Sequence, residues 1–153
     1  MLKIKTVIII LIFFIYQNLS LPAQSVPETV LSNFNKQYAG SEVLEWEVIE
    51  QKCKGAFFTN DNFYAEAVYL RAGEWVSTSK QIGANELPEK VLKKWKKEYP
   101  NIRSVSAIML VEKPQKKPMY HLSFETQSEL VNLVFKKSGR LKEKITEPIS
   151  TDD

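Results

Sequence analysis

Two periods alternate along the chain. Val30, Leu31, Phe34 and Tyr38 are apolar at i, i+1, i+4 and i+8, one stripe of a helix with a 3.6-residue repeat. Pro27 opens this segment where a missing N–H costs nothing, Glu28 suits the positive end of the helix dipole, and Ala39-Gly40 stops it. The period then drops to two. Leu44, Trp46 and Val48 alternate with Val43, Glu45 and Glu47, as in a half-buried strand. Ala56 and Phe58 mark a second strand, Ala65, Ala67 and Tyr69 a third, and Gly73 turns the chain into a fourth at Trp75.

The pattern is then written again. Val26 to Tyr38 overlies Leu87 to Tyr99 at a constant offset of 61, with Pro, Glu, Val, Leu, Lys and Tyr recurring and Trp95 answering Phe34. At the same offset, Val105, Ala107 and Met109 answer Leu44, Trp46 and Val48. Further on the offset becomes 66, matching Ala56 and Phe58 to Leu122 and Phe124, Ala65, Ala67 and Tyr69 to Val131, Leu133 and Phe135, and Gly73 to Gly139. The five extra residues fall in Lys113-Pro114-Gln115-Lys116-Lys117-Pro118, an extended, solvated hairpin loop. One helix cannot cover a four-stranded sheet alone. The predicted fold is therefore α+β, a tandem repeat of helix plus four antiparallel strands, forming one continuous sheet with both helices on one face. The repeats span residues 26–79 and 87–145, and Lys80 to Glu86 reads as the linker.

Met1 to Lys5 is basic, Thr6 to Tyr16 is an apolar run, and small and polar residues follow to Ala23. That is the plan of a secretory signal peptide over residues 1–23, too short to span a bilayer and with no Cys near its end for a lipid anchor. A duplicated domain over 24–147 and a polar tail over 148–153 complete the expected organisation, placed in the periplasm or secreted. The lone Cys53 excludes an intrachain disulfide framework, and with the lone His121 it cannot complete a zinc site.

Residues apolar in both copies are expected beneath the helices: Leu44 and Val105, Trp46 and Ala107, Phe58 and Phe124, Ala67 and Leu133, Tyr69 and Phe135. The opposite face then carries Glu45, Glu47, Phe57, Tyr64, Glu66 and Val68, followed by Ser106, Ile108, His121, Ser123, Asn132 and Val134. A mixed aromatic and polar sheet face without a covering helix suits a docking surface. Scattered surface apolar residues, or a second copy closing the face, would account for it as well.

Charge separates the halves. Residues 26–86 hold nine acids and five bases, for −4, whereas residues 87–147 hold seven acids and fourteen bases, for +7. Five lysines between 90 and 97 read as a solvated helix face, so no nucleic-acid partner is expected. There is no Gly-rich phosphate loop and no G-x-S-x-G elbow, and any nucleophile would depend on His121 alone. Glu45 and Glu47 fall far short of a calcium ligand set.

The duplicated V/L-P-E-x-V-L helix, the Glu45-Trp46-Glu47 strand and the Gly73-Glu74-Trp75 turn resemble the PepSY-like family of beta-lactamase-inhibitor-like exported proteins. Pro27, Val30, Tyr38, Glu45, Trp46, Gly73 and Trp75 carry the resemblance in the first copy, and Pro88, Val91, Tyr99, Pro100 and Gly139 in the second. Ala107 at the second tryptophan position and Ala72 and Ser138 at the turns depart from it. The resemblance implies a fold like that of beta-lactamase inhibitory protein, with an open concave sheet face, and transfers no catalytic residue.

The resulting expectation is a non-enzymatic, exported binding or inhibitor-like module without cofactor or metal and without a stable membrane anchor. It would engage a protein partner in the cell envelope through Glu45, Glu47, Phe57, Tyr64, Glu66, His121 and Asn132. The alternative is a periplasmic envelope protein that binds a small ligand or a cation.

Overall fold

The computed structural model describes residues 25–149, so the expected signal peptide and the end of the polar tail lie outside the described residues. Helix α1 spans Glu28–Gln37 and helix α2 spans Glu89–Glu98. Pro27 and Pro88 stand just before them in extended conformation, with Glu28 and Glu89 in the first turns and Lys36, Lys96 and Lys97 in the last. Each charge complements the helix dipole. The ends match as well: the Tyr38 N–H donates to Phe34 O at 2.8 Å and the Tyr99 N–H to Trp95 O at 2.9 Å.

Eight strands form one antiparallel sheet in chain order. The first unit supplies β1 (Val43–Ile49), β2 (Lys52–Phe58), β3 (Tyr64–Leu70) and β4 (Trp75–Gln81). The second supplies β5 (Ser104–Glu112), β6 (Met119–Glu125), β7 (Glu129–Lys136) and β8 (Leu141–Pro148). The units join where Thr78 to Gln81 of β4 pair with Glu112 to Met109 of β5. Lys80 is thus in a strand and not in the linker, which is a 3₁₀ turn at Ala84–Glu86 with flanking residues. Strand β8 continues to Pro148 because Glu129 and Leu130 pair with it, so the polar tail begins later than its composition suggests.

Each helix covers its own four strands. Val30 and Phe34 pack with Cys53, Phe57, Ala65, Ala67 and Tyr69. Val91 and Trp95 pack with Ile108, Leu122, Phe124, Val131, Leu133 and Phe135. A fully buried large apolar side chain contributes roughly 1.5–3 kcal/mol, so each unit depends on its helix. Gly73 (φ 95°) and Gly139 (φ 81°) make the turns into β4 and β8 directly beneath the helices. A Cβ on Gly139 would lie 3.0 Å from the Lys90 carbonyl oxygen, and one on Gly73 2.9 Å from the Asn33 amide nitrogen. Glycine is required there for both its dihedral freedom and its size.

Pairing shows where the two copies correspond. Val43 faces Phe57 and Glu45 faces Ala56 across a bulge, while Val105 faces Phe124 and Ala107 faces Ser123 across another. The offset is therefore 62 in β1 and β5, then 67 in β2 and β6, and 66 from β3 and β7 onward. One residue is added between helix and first strand, five in the β5–β6 loop, and one is removed from the β6–β7 hairpin. A one-residue slip moves a strand residue to the other face.

Several face assignments change accordingly. Phe57 is fully buried under α1, and Phe58 is exposed on the opposite face. Ile108, expected on the open face, is buried under α2 as the counterpart of Trp46, and Ala107 pairs with Ser123 on the open face. Leu44, in the bulge, is 58% exposed and Val105 is 49% exposed. Gly55 and Phe57, not Ala56 and Phe58, correspond to Leu122 and Phe124.

Candidate partner-binding face

The sheet face turned away from the helices is covered by no element among the described residues. In the first unit, Lys54 sits between Glu47 at 2.9 Å and Glu66 at 3.9 Å. The Tyr64 hydroxyl donates to Glu66 Oε1 at 2.8 Å, and the Tyr64 ring meets Phe58 edge-on at 6.3 Å. The bond to Glu66 raises the Tyr64 phenol above its ordinary value, and the bond to Glu47 does the same for the Lys54 ammonium. Glu47, Tyr64 and Glu66 thus form one cluster held by Lys54, and Glu45 lies beside it on the same strand. The Lys54 ammonium fills the space between the carboxylates that a cation would need, and no group of three or more metal-ligating side chains occurs among the described residues.

The other predicted positions lie apart from this cluster. Asn132 accepts a hydrogen bond from the Ser123 hydroxyl at 2.6 Å. Four strand spacings separate β3 from β7, which places Asn132 roughly 19 Å from Tyr64 at ~4.8 Å per strand. His121, between Met109 and Val134 in the sheet, lines a hollow at the loop end of β6. Burial lowers its pKa, the Lys113 charge lowers it further, and Glu143 opposes both. Phe57 is not on this face at all. Phe58 takes its place, and neither Phe58 nor Lys54 was among the expected binding residues. Alternation from Cys53, which is buried, would have indicated both.

The remaining open-face apolar residues are spread across both units. Ile49 and Ile145 are exposed at its two edge strands, with Val68 and Val134 half-buried between them. A shallow hollow of about 410 Å³ lined by Ile49, Lys52, Lys54, Val68, Val76, Ser77 and Lys113 lies at the β1–β2 hairpin end of the first unit.

A helix followed by a four-strand meander, duplicated into an open eight-strand sheet with one bare face, defines a class of α+β folds. The chain belongs to the family described as "Putative beta-lactamase-inhibitor-like, PepSY-like", whose profile matches residues 15–55 and 52–143. Solved structures share the fold. A BLIP-like protein from Bacteroides fragilis is 18% identical with a TM-score of 0.72, covering 86% of this chain and 94% of its own. A DUF2874 family protein from Bacteroides ovatus is 20% identical with a TM-score of 0.72, covering 81% and 89%. A protein described as "putative periplasmic" from Bacteroides eggerthii is 17% identical with a TM-score of 0.74, covering 80% and 89%. No curated protein matches the chain.

Proposed function

We propose that this protein is an exported, non-enzymatic module that binds a protein partner in the cell envelope through its open sheet face. The observation that carries the reading is the uncovered face itself. It holds an aromatic pair, exposed Phe58 and half-buried Tyr64, beside a Glu47–Lys54–Glu66 network, a mixture suited to an interface with an apolar centre and a polar rim. The basic and apolar N-terminal segment, and the neighbour described as periplasmic, support export. No described helix is long and apolar enough to cross a membrane. The inhibitor-like family supports a protein as the partner, with Glu45, Glu47, Tyr64, Glu66, His121 and Asn132 as candidate contacts and Phe58 in place of Phe57.

The test is site-specific photocrosslinking in the exporting cell. A crosslinker at Phe58 or Asn132 should give the same discrete adduct, and one at exposed Ser32 on α1 should give none. Adducts from Ser32 alone, or none from either open-face position, would remove the face assignment. A small-ligand reading is favoured by one observation, the lysine-rimmed hollow at His121.

A further inference from the structure

The loop that distinguishes the second unit enlarges the hollow at this end of the sheet, from about 410 Å³ over Ile49 and Lys52 in the first unit to about 660 Å³ over Val111 and Met119 in the second. Between Ile49 and Lys52 the first unit turns in two residues, Glu50 and Gln51, whereas seven separate Val111 from Met119. The longer loop is ordered. Pro114 occupies the second position of a turn in which the Lys116 N–H donates to Lys113 O at 3.3 Å, and Gln115 takes φ 53° at the third. This is the arrangement of a type II turn, with Pro where φ is already set. Beside it, the Lys136 to Gly139 turn is closed by the Gly139 N–H donating to Lys136 O at 2.9 Å. Met119 pairs with Lys136, so both turns stand at the same end of the sheet.

Together they enclose a hollow of about 660 Å³. That lies within the range of small-ligand pockets, roughly 300–1,000 Å³. Val111, Pro118 and Met119 provide apolar lining and His121 adds an imidazole whose pKa burial lowers. Lys113, Lys116, Lys117, Lys136 and Lys137 also line it. None of these five takes part in the ion pairs formed among the described residues, which engage Lys54, Lys80, Lys93 and Lys94. Five lysines and no carboxylate line this partly apolar cavity. Glu143 acts on His121 electrostatically but lines no part of the hollow.

We propose that this hollow binds a single-chain organic phosphate, its head on the lysines and its apolar body along Val111, Pro118 and Met119. A phosphate monoester carries about −1.5 to −2 near neutral pH, which matches several unpaired ammonium groups better than a monovalent carboxylate does. The enclosure favours a small molecule over an acidic protein loop or a membrane surface, both of which would need a broader, flatter site. The inference shares only His121 with the partner reading, and the crosslinking positions Phe58 and Asn132 line no part of the hollow, so the two can fail separately.

His121 is the only histidine, so its imidazole resonances report on the site without assignment. The chain lacking residues 1–23, which retains both cores, would be titrated with monomeric octyl phosphate, inorganic phosphate and octyl glucoside. Octyl phosphate should shift the His121 signals saturably and raise its pKa, because a bound dianion favours the imidazolium. Inorganic phosphate should bind at least tenfold more weakly, and octyl glucoside should give no saturable shift. Lys113→Gln with Lys136→Gln should weaken octyl phosphate at least tenfold while amide spectra keep the native dispersion. Absence of a saturable shift with octyl phosphate would overturn the proposal. So would equal binding of octyl glucoside, undiminished affinity in the double variant, or binding of anionic vesicles without binding of the monomer.

Discussion

Gly55 is the position where a single methyl group tests the packing of the first unit. It lies on β2 opposite Trp46 of β1, and the indole ring lies over its Cα so closely that a Cβ would stand 2.9 Å from two ring carbons. The same ring meets Phe34 of α1 edge-on at 5.5 Å, so it cannot lift away without disturbing the helix contact. Gly55 has no left-handed backbone, so the cost of Gly55→Ala is steric. Overpacking of this kind costs about 1–3 kcal/mol, against which replacing a strand glycine returns about 0.5–1 kcal/mol. The net expectation is destabilisation by about 1 kcal/mol, and by no more than about 2.5 kcal/mol. Urea unfolding with an unchanged m-value would measure it as a lowered midpoint. The origin is checked by Trp46→Val, a background in which Gly55→Ala should become neutral or stabilising. Equal effects of Gly55→Ala with and without the indole, or no loss in the parent, would refute the packing argument.

Thr78 is 4% exposed, accepts from Trp75 Nε1 at 2.9 Å and hydrogen-bonds with the Tyr38 hydroxyl. Thr78→Val should cost about 1–3 kcal/mol by leaving these groups short of a partner, with Thr78→Ser recovering most of it in thermal unfolding. Cys53 is fully buried, and burial raises its thiol pKa, with Arg71 opposing. A disulfide reagent should leave it unmodified in the native protein at neutral pH and react promptly in denaturant; prompt native reaction would contradict the buried placement. Burial, helped by Lys113, depresses the His121 pKa in the fold. The unfolded chain therefore binds the proton more readily, and native stability should fall as pH drops from about 6.5 toward the lower folded value. His121→Gln should flatten that segment of the stability curve, and an unaltered slope would show that other groups carry it.

The architecture was legible in the sequence because duplication supplies two readings of one pattern. The Pro-Glu helix starts, Gly73 and Gly139, and Ala65, Ala67 and Tyr69 with their partners lie in segments where neither copy gains or loses a residue relative to the other. The faces of β1, β2, β5 and β6 were less legible for a definite physical reason. Bulges at Leu44 and Ser106 break strict alternation, an extra residue precedes β5, and Phe57-Phe58 offers two adjacent aromatics to opposite faces. Phe57 turns inward against Phe34 at 5.0 Å and Tyr38 at 4.7 Å, in step with buried Cys53 on the same strand. Tyr64, Glu66, His121 and Asn132 lie in strands of unbroken period two, and their common face could be read directly. Lys54 could have been read by alternation from Cys53, whereas the lysine-rimmed hollow required the fold, since the two turns that form it are separated in sequence.

The corrected register makes a demand of its own. Trp46 opposite Gly55 in the first unit corresponds to Ile108 opposite Leu122 in the second, so one large and one absent side chain are replaced by two of middle size. The space beneath each helix is thus divided differently, as cores tolerate when paired changes compensate one another. Trp46→Ile alone should therefore destabilise by leaving a cavity over Gly55, and Gly55→Leu alone should destabilise by driving a branched chain into the indole. Together they should recover at least half of the summed loss in urea unfolding. The alignment at offsets of 61 and then 66, which sets Trp46 against Ala107 and Ala56 against Leu122, predicts no such coupling between positions 46 and 55. Additive losses in the double variant would mean that the two units do not share this pair, and that the duplication is one of topology without a conserved division of core volume.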